Sequence, residues 1–136
     1  MRVFLDASVL FSAARSNGAI RSLLRRLHSA GHALVADSYM VAEARRNLLA
    51  KGPEALGALD EVLLTVELAA FKPVHLPHGV AARVPEKDRP IISAAIQLHC
   101  NALVTGDRTH FGALYGTVLL GVAVHSPRSL AESLNL

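Results

Sequence analysis

Short apolar runs alternate along the chain with longer stretches in which apolar residues recur at helical spacing. The runs at residues 3–5, 33–36 and 102–105 are predicted to be strands, because a brief and continuous apolar segment is typical of a buried parallel strand. A last strand is predicted between residues 118 and 124. Turn residues and helical stretches separate these runs, and this alternation indicates βαβ units.

The helical stretches are recognised by apolar residues that lie three and four positions apart. Ile20, Leu23, Leu24 and Leu27 mark one face of a helix that ends near Gly31. A helix is predicted over residues 38–50, with Asp37 or Ser38 as its cap. Further helices are predicted over residues 56–71 and 89–98 and in the tail after residue 126, and residues 74–76 are expected to form a short strand or connector.

Strands that alternate with helices predict an α/β protein with a parallel sheet covered by helices on both faces. The length of 136 residues is near the commonest domain size, so residues 1–136 are predicted to form a single domain. Right-handed crossovers between parallel strands then fix much of the topology.

Four acids fall where this topology would bring them to one edge of the sheet. Asp6 ends the first strand, Asp107 follows the strand at residues 102–105, and Asp88 begins the helix that precedes that strand. Glu43 lies early in the helix that follows the second strand, roughly 8 Å from its start. Because the carboxyl ends of parallel strands share one edge, and the next helix starts there, the four carboxylates are predicted to converge.

A cluster of ionised carboxylates repels itself unless a cation lies among them. Hard oxygen ligands without a pattern of Cys or His favour Mg²⁺ or Mn²⁺ over zinc, and Cys100 is the single cysteine. Such ions activate water for attack on phosphorus. The other acids show no convergence and are expected to be surface charges; they are Asp37, Glu54, Asp60, Glu61, Glu67, Glu86 and Glu132.

Several residues near the four acids have two interpretations that the sequence leaves open. Ser8 either binds a metal-bound water or a phosphate, or caps the helix that follows it, and Thr105 and Thr109 share this ambiguity. Arg89 and Arg108 either contact phosphates that flank the scissile one, or are ordinary surface arginines. No role is assigned to His110, since a lone histidine is more often structural.

The composition sets the expected partners and location. Lys and Arg number 14 against 11 Asp and Glu, and this small excess permits a polyanion such as RNA without requiring it. Charged residues make up only 18% of the chain, which leaves a rather bare surface and favours a homodimer. No apolar run approaches the roughly 20 residues of a membrane span, and the first residues lack a secretory apolar region, so a cytoplasmic protein is expected.

Four segments together resemble the PIN-domain nucleases: VFLDASVL at residues 3–10, AEAR at 42–45, DRPIISAA at 88–95 and LVTGD at 103–107. The resemblance implies an α/β/α sandwich with a central parallel sheet and a ribonuclease site that depends on Mg²⁺ or Mn²⁺. Asp6, Glu43, Asp88 and Asp107 match the four family acids, and Ser8 matches a hydroxyl or amide position. His110 and its neighbour Thr109 stand where some members carry a further acid, which leaves the number of metal ions open.

Small members of this family are often dimeric toxins that an antitoxin protein restrains by inserting into the site. The expected function is therefore a metal-dependent endoribonuclease, and a toxin of a toxin–antitoxin pair. The alternative is a PIN-fold module without activity that binds RNA or protein. A haloacid-dehalogenase-type phosphatase is disfavoured because Ser8 stands where its second Asp is required, and a receiver domain because no lysine follows Lys87.

Overall fold

The computed structural model describes residues 1–70 and 75–136. The first half contains β1 (Arg2–Leu5), α1 (Ala7–Arg15), α2 (Ala19–Ser29), β2 (Ala33–Asp37), α3 (Ser38–Lys51), a 3₁₀ turn (Pro53–Ala55), α4 (Leu56–Leu63) and β3 (Val66–Ala69). The second half contains α5 (His78–Ala81), a 3₁₀ turn (Glu86–Asp88), α6 (Arg89–Gln97), β4 (Ala102–Val104), α7 (Arg108–Phe111), a 3₁₀ turn (Gly112–Leu114), β5 (Val118–Leu119), β6 (Val122–His125) and α8 (Pro127–Ser133).

The described strands form a six-stranded sheet in the order β3-β2-β1-β4-β6-β5. All neighbouring pairs are parallel except β5 and β6, which are antiparallel at one edge. Helices flank the sheet, so the predicted α/β fold with a mostly parallel sheet is confirmed.

The core is aliphatic, as a chain with few aromatic residues requires. β1 is central in the sheet, and Val3, Phe4 and Leu5 have no exposed surface. Leu10 of α1 and Leu27 of α2 are equally buried against it. Fully burying a side chain of this size stabilises the fold by roughly 1.5–3 kcal/mol. The central strands β1 and β4 therefore lie within this core, since Val3–Leu5 and all of β4 are buried.

Two predicted elements differ from the observed ones. Val66 was assigned to the helix over residues 56–71, but α4 ends at Leu63 and Val66 opens the edge strand β3. The single strand expected over residues 118–124 is a hairpin that turns at Leu120 and Gly121, both of which have positive φ. The predicted helix end at residues 71–73, and Val74 of the predicted connector, lie outside the described residues.

The prediction that Asp37 is a surface charge was wrong. Asp37 is 1% exposed at the junction of β2 and α3, and its Oδ1 accepts a hydrogen bond from the Met40 backbone N–H at 2.8 Å. An aspartate in this position satisfies one of the amide groups that every helix start leaves unpaired. Asp37 therefore caps α3, the helix that carries Glu43, and of the two predicted caps Asp37 is the one observed.

Candidate active site

The site lies where the strand order reverses, between β1 and β4. α1 leaves from the end of β1, and the register pairs Leu5 with Val104. The Asp6 backbone N–H donates to the Val104 carbonyl at 3.1 Å, so Asp6 and Thr105 follow their strands side by side. Ligands of open α/β sheets bind in the crevice at such a reversal.

Asp6 is 5% exposed and is held at both carboxylate oxygens. Its Oδ1 accepts from the Ala7 backbone N–H at 2.8 Å. Its Oδ2 accepts from the Ser8 hydroxyl at 3.1 Å and from the Thr105 hydroxyl at 2.6 Å. Burial raises the pKa of Asp6, the hydrogen bonds from Thr105, Ser8 and Ala7 oppose that rise, and the nearby Asp107 carboxylate adds to it.

The loop after β4 is tied to the start of α1. Thr105 is fully buried, and its hydroxyl accepts from the Asp107 backbone N–H at 3.1 Å while it donates to Asp6. The Gly106 backbone N–H donates to the Ser8 hydroxyl at 3.1 Å. Asp6, not Ser8, is the N-cap of α1, so the hydroxyl of Ser8 bridges Asp6 and this loop instead of capping the helix. The Tyr115 hydroxyl fixes the loop further by donating to the Thr105 carbonyl at 2.8 Å.

Glu43 faces the same crevice from α3. Burial raises its pKa most, the carboxylate of Asp6 raises it further, and weaker repulsion from Asp88 and Asp107 acts in the same direction. Arg46 is the neighbouring charge that lowers it. The charges of three acids from other elements thus act on Glu43.

Asp88 and Asp107 are linked through His110. Asp88 is 6% exposed, and its Oδ2 and Oδ1 lie 2.9 and 3.2 Å from Nδ1 of His110. The same nitrogen is 3.8 Å from Oδ2 of Asp107. Asp107 in turn caps α7, because its Oδ1 accepts from the His110 backbone N–H at 3.2 Å. The acids from α6 and from the β4 loop therefore meet at one imidazole.

These side chains line one cavity of about 340 Å³. Asp6, Ser8, Glu43, Asp88 and Asp107 are all on its wall, as the sequence predicted. The residues with polar side chains on its wall to which the sequence gave no role are Tyr39, Asn47, Lys87 and His110.

The two arginines predicted to bind substrate do not line this cavity. The Arg89 side chain donates from Nε to the carbonyls of Ala81 and Val84, at 3.0 and 3.1 Å. Arg108 is exposed and lines a separate groove of about 500 Å³ beside Tyr115. Lys87 is the basic residue on the cavity wall within the described part of the chain. Direct contact of either arginine with a substrate remains a prediction.

His110 was missed because its importance depends on tertiary placement. It lies three residues after Asp107, which the sequence shows, but its approach to Asp88 depends on how α6 and α7 are placed. For Tyr39 the sequence offered a weak signal, which is its position one turn before Glu43. The structure shows that it is half-exposed at the start of α3.

The four acids line one cavity, but they are not arranged as a complete set of metal ligands. Within residues 1–70 and 75–136, no three His, Cys, Asp or Glu side chains are arranged to hold a metal ion together. Asp88 is instead directed to His110. The donor atoms themselves are carboxylate oxygens, and the charges of the three aspartates raise the pKa of Glu43. A hard divalent cation relieves repulsion of this kind.

Solved structures of similar fold support this description of the architecture. VapBC2 from Rickettsia felis, bound to a DNA fragment from its promoter, has a TM-score of 0.66 at 16% identity, over 93% of this chain and 98% of that one. PAE2754 from Pyrobaculum aerophilum has a TM-score of 0.65 at 19% identity, over 99% and 90%. VapC20 from Mycobacterium tuberculosis, a toxin that cleaves the sarcin–ricin loop, has a TM-score of 0.52 at 13% identity, over 79% and 92%.

At these identities the structural likeness establishes the fold alone. None of the curated proteins matches the chain significantly. In the described part of the chain, no helix has the length and apolar character needed to cross a membrane. The sequence model of the PIN domain, however, matches residues 2–109, which include all four converging acids. The chain therefore belongs to the PIN domain family.

Proposed function

We propose that this protein is a metal-dependent endoribonuclease whose site is the cavity formed by Asp6, Glu43, Asp88 and Asp107. The observation that carries the proposal is the convergence of these four acids, from four separate elements, at the reversal point of a PIN-domain sheet. Isolated acids at helix starts are common, but four that line one cavity are not explained by capping alone.

The cation that fits this set is Mg²⁺ or Mn²⁺, because all the donors are hard oxygens. Asp6, Asp88 and Asp107, with Glu43, are the residues that would hold it. When bound, such a cation supplies an activated water and stabilises charge on the phosphate and the leaving oxygen.

The protein's own residues provide orientation and charge around that centre. Thr105 and Ser8 fix both the rotation of the Asp6 carboxylate and the loop that carries Asp107. Lys87 offers a positive charge at the cavity wall, where the phosphate of an RNA substrate would lie. Tyr39 is half-exposed on the same wall and offers an aromatic face to an unpaired base.

The decisive experiment is an RNA-cleavage assay with purified protein, with and without Mg²⁺ or Mn²⁺, on single-stranded and structured RNA. We expect cleavage that stops when both ions are chelated. Asp6→Asn and Asp107→Asn should each lower the rate by at least about 100-fold, since even second-sphere changes at metal sites cost 10- to 100-fold. Asp60→Asn is the matched control, because Asp60 is exposed and pairs with Arg45 at 2.9 Å, away from the cavity.

A rate that survives complete chelation, or that neither Asn variant lowers, would contradict the proposed function. RNA binding without turnover by the wild type would instead support the module that keeps the fold without activity.

We also propose that the enzyme is a toxin restrained by an antitoxin protein, and that it acts in the cytoplasm as a homodimer. The support is the likeness to VapC20, a toxin that cleaves the sarcin–ricin loop, and to VapBC2, which is bound to a DNA fragment from its promoter. Growth arrest on expression, relieved by the product of a neighbouring gene and absent for Asp6→Asn, is the corresponding test.

A further inference from the structure

The imidazole of His110 lies within 4 Å of the carboxylates of two of the four acids. Its Nδ1 lies 2.9 Å from Oδ2 of Asp88 and 3.8 Å from Oδ2 of Asp107. Its own backbone N–H is held by Asp107, which fixes the start of the short helix that carries the imidazole. With 24% of its side chain exposed, His110 sits at the wall of the cavity and not in the core.

The orientation of the Asp88 carboxylate depends on His110 more than the orientation of Asp6 depends on any single donor. Asp6 is oriented by three donors, from Ala7, Ser8 and Thr105. Asp88 stands at the N-cap of α6 but its side chain makes no capping hydrogen bond. In the described part of the chain, the hydrogen bonds to its carboxylate come from His110.

We propose that His110 is a positioning residue that orients the Asp88 carboxylate for cation binding. This inference rests on the proposed function, since it concerns the cation of that site. With its proton on Nδ1, the imidazole donates to Asp88. A carboxylate has about four acceptor positions, so this bond leaves Asp88 able to coordinate an ion.

The physical role resembles that of outer partners in metal sites generally. A ligating carboxylate is usually itself hydrogen-bonded, and loss of such a partner lowers metal affinity by roughly 10- to 100-fold. Without His110, the Asp88 side chain would be free to rotate, and its ordering would have to occur at the moment of ion binding. The weaker affinity follows from that ordering and from the repulsion between carboxylates that the ion must overcome.

Direct measurement of Mn²⁺ binding tests the proposal without reference to cleavage. Mn²⁺ affinity would be measured by calorimetry and by the electron paramagnetic resonance signal of the free ion. The proteins are the wild type, His110→Ala, His110→Asn and the control His28→Ala, which removes an exposed histidine on α2. The Asn amide nitrogen occupies nearly the position of Nδ1 and keeps the donor. We expect His110→Ala to bind Mn²⁺ about 10- to 100-fold more weakly, with His110→Asn restored to near wild-type affinity and His28→Ala unchanged.

A second measurement separates positioning from a merely structural role. Melting temperatures would be compared in chelator and in saturating Mn²⁺, because an ion that binds only the folded state raises stability with its affinity. Positioning predicts that the Mn²⁺-induced rise shrinks in His110→Ala and returns in His110→Asn. If His110→Ala does not fold, His110→Leu fills the same space without a donor and replaces it.

The outcomes distinguish this inference from the proposed function. Wild-type protein that binds no Mn²⁺ would overturn both. Mn²⁺ binding by the wild type, with equal or tighter binding by His110→Ala, would overturn the role of His110 alone. An equal loss of melting temperature with and without Mn²⁺ would also overturn it.

Discussion

At the scale of a single residue, Glu43 shows how the charges of the candidate site lower the free energy of unfolding. Its carboxylate is partly desolvated and faces Asp6, Asp88 and Asp107, with Arg46 as the compensating charge. Because its pKa in the folded state is raised above its ordinary value of 4.5, ionisation of Glu43 disfavours the folded protein. The stabilising contribution of the protonated form is complete below about pH 4.5 and is lost as the pH rises through the folded-state pKa.

Glu43→Gln should therefore stabilise the metal-free protein at pH 7. The expected gain is roughly 0.2–1 kcal/mol, the range measured for charge pairs that remain partly solvated, and it should disappear near pH 4. In saturating Mn²⁺ the order should reverse, because the variant loses a ligand. Chemical denaturation in chelator and in Mn²⁺, at both pH values, measures these differences.

Glu54→Gln provides the matched control, because Glu54 is exposed and lies outside the cavity. The difference in stability between Glu54→Gln and the wild type should be the same in chelator and in Mn²⁺. A Glu43→Gln protein that is less stable than wild type in chelator at pH 7 would contradict the repulsion that we infer at this site.

At the scale of an element, α3 depends on a buried acid at its start. Burial raises the pKa of Asp37, and hydrogen bonds from the amides of Met40, Tyr39 and Asp37 itself oppose the rise. Its Oδ1 caps the helix, whereas its Oδ2 has no hydrogen-bond partner among the described residues. The junction of β2 and α3 thus gains a cap and carries the penalty of a desolvated charge at the same time.

Two substitutions at Asp37 separate the cap from the charge. Both Asp37→Asn and Asp37→Ala remove the carboxylate, but only Asn keeps an oxygen that accepts from the Met40 N–H. Asp37→Asn should exceed Asp37→Ala in unfolding free energy by about 0.5–2 kcal/mol at pH 7, the usual value of an N-cap. Equal stability of the two variants in denaturant titrations would show that Oδ1 does not cap α3.

The differences between predicted and observed elements have local physical causes. Val66 continues the apolar spacing of α4, so periodicity alone extends the helix into β3; the strand forms because its backbone pairs with β2. The hairpin at Leu120 and Gly121 was missed because a leucine with positive φ is not a typical turn residue. Both errors lie at the two edges of the sheet, where long-range pairing determines the structure.

The convergence of the four acids was largely predictable, because the topology alone brings them to one edge of the sheet. Asp6 and Asp107 follow neighbouring parallel strands, and Asp88 starts a helix at the same edge, so their approach follows from the βαβ pattern. The contact between His110 and Asp88 did not follow, because it joins two short elements whose relative placement no spacing rule gives. Orientation of side chains, unlike convergence of elements, required the structure.

For the molecule as a whole, ionisable groups at the carboxyl edge of the sheet make stability depend on pH in two opposite directions. The pKa values of Asp6 and Glu43 are raised, so their ionisation disfavours folding as the pH rises. His125, at the end of β6, has its pKa lowered by burial. Its neutral ring lies 2.9 Å from the Ser129 hydroxyl of α8 and so connects the sheet to the last helix.

His125 should accordingly limit the stability of the protein in mild acid. Because its folded-state pKa is below its ordinary value of 6.5, the stability it contributes is present above about pH 6.5 and is lost as the pH falls through the folded-state pKa. In His125→Asn the amide oxygen takes the place of Nδ1 and keeps the contact with Ser129 without titrating. Its unfolding free energy, measured in chelator between pH 8 and pH 5, should therefore fall less than that of the wild type, with the two curves parallel above about pH 7.5. Parallel curves through the whole range would mean that protonation of His125 does not oppose folding. The acid sensitivity would then have to arise from groups elsewhere than the junction of β6 and α8.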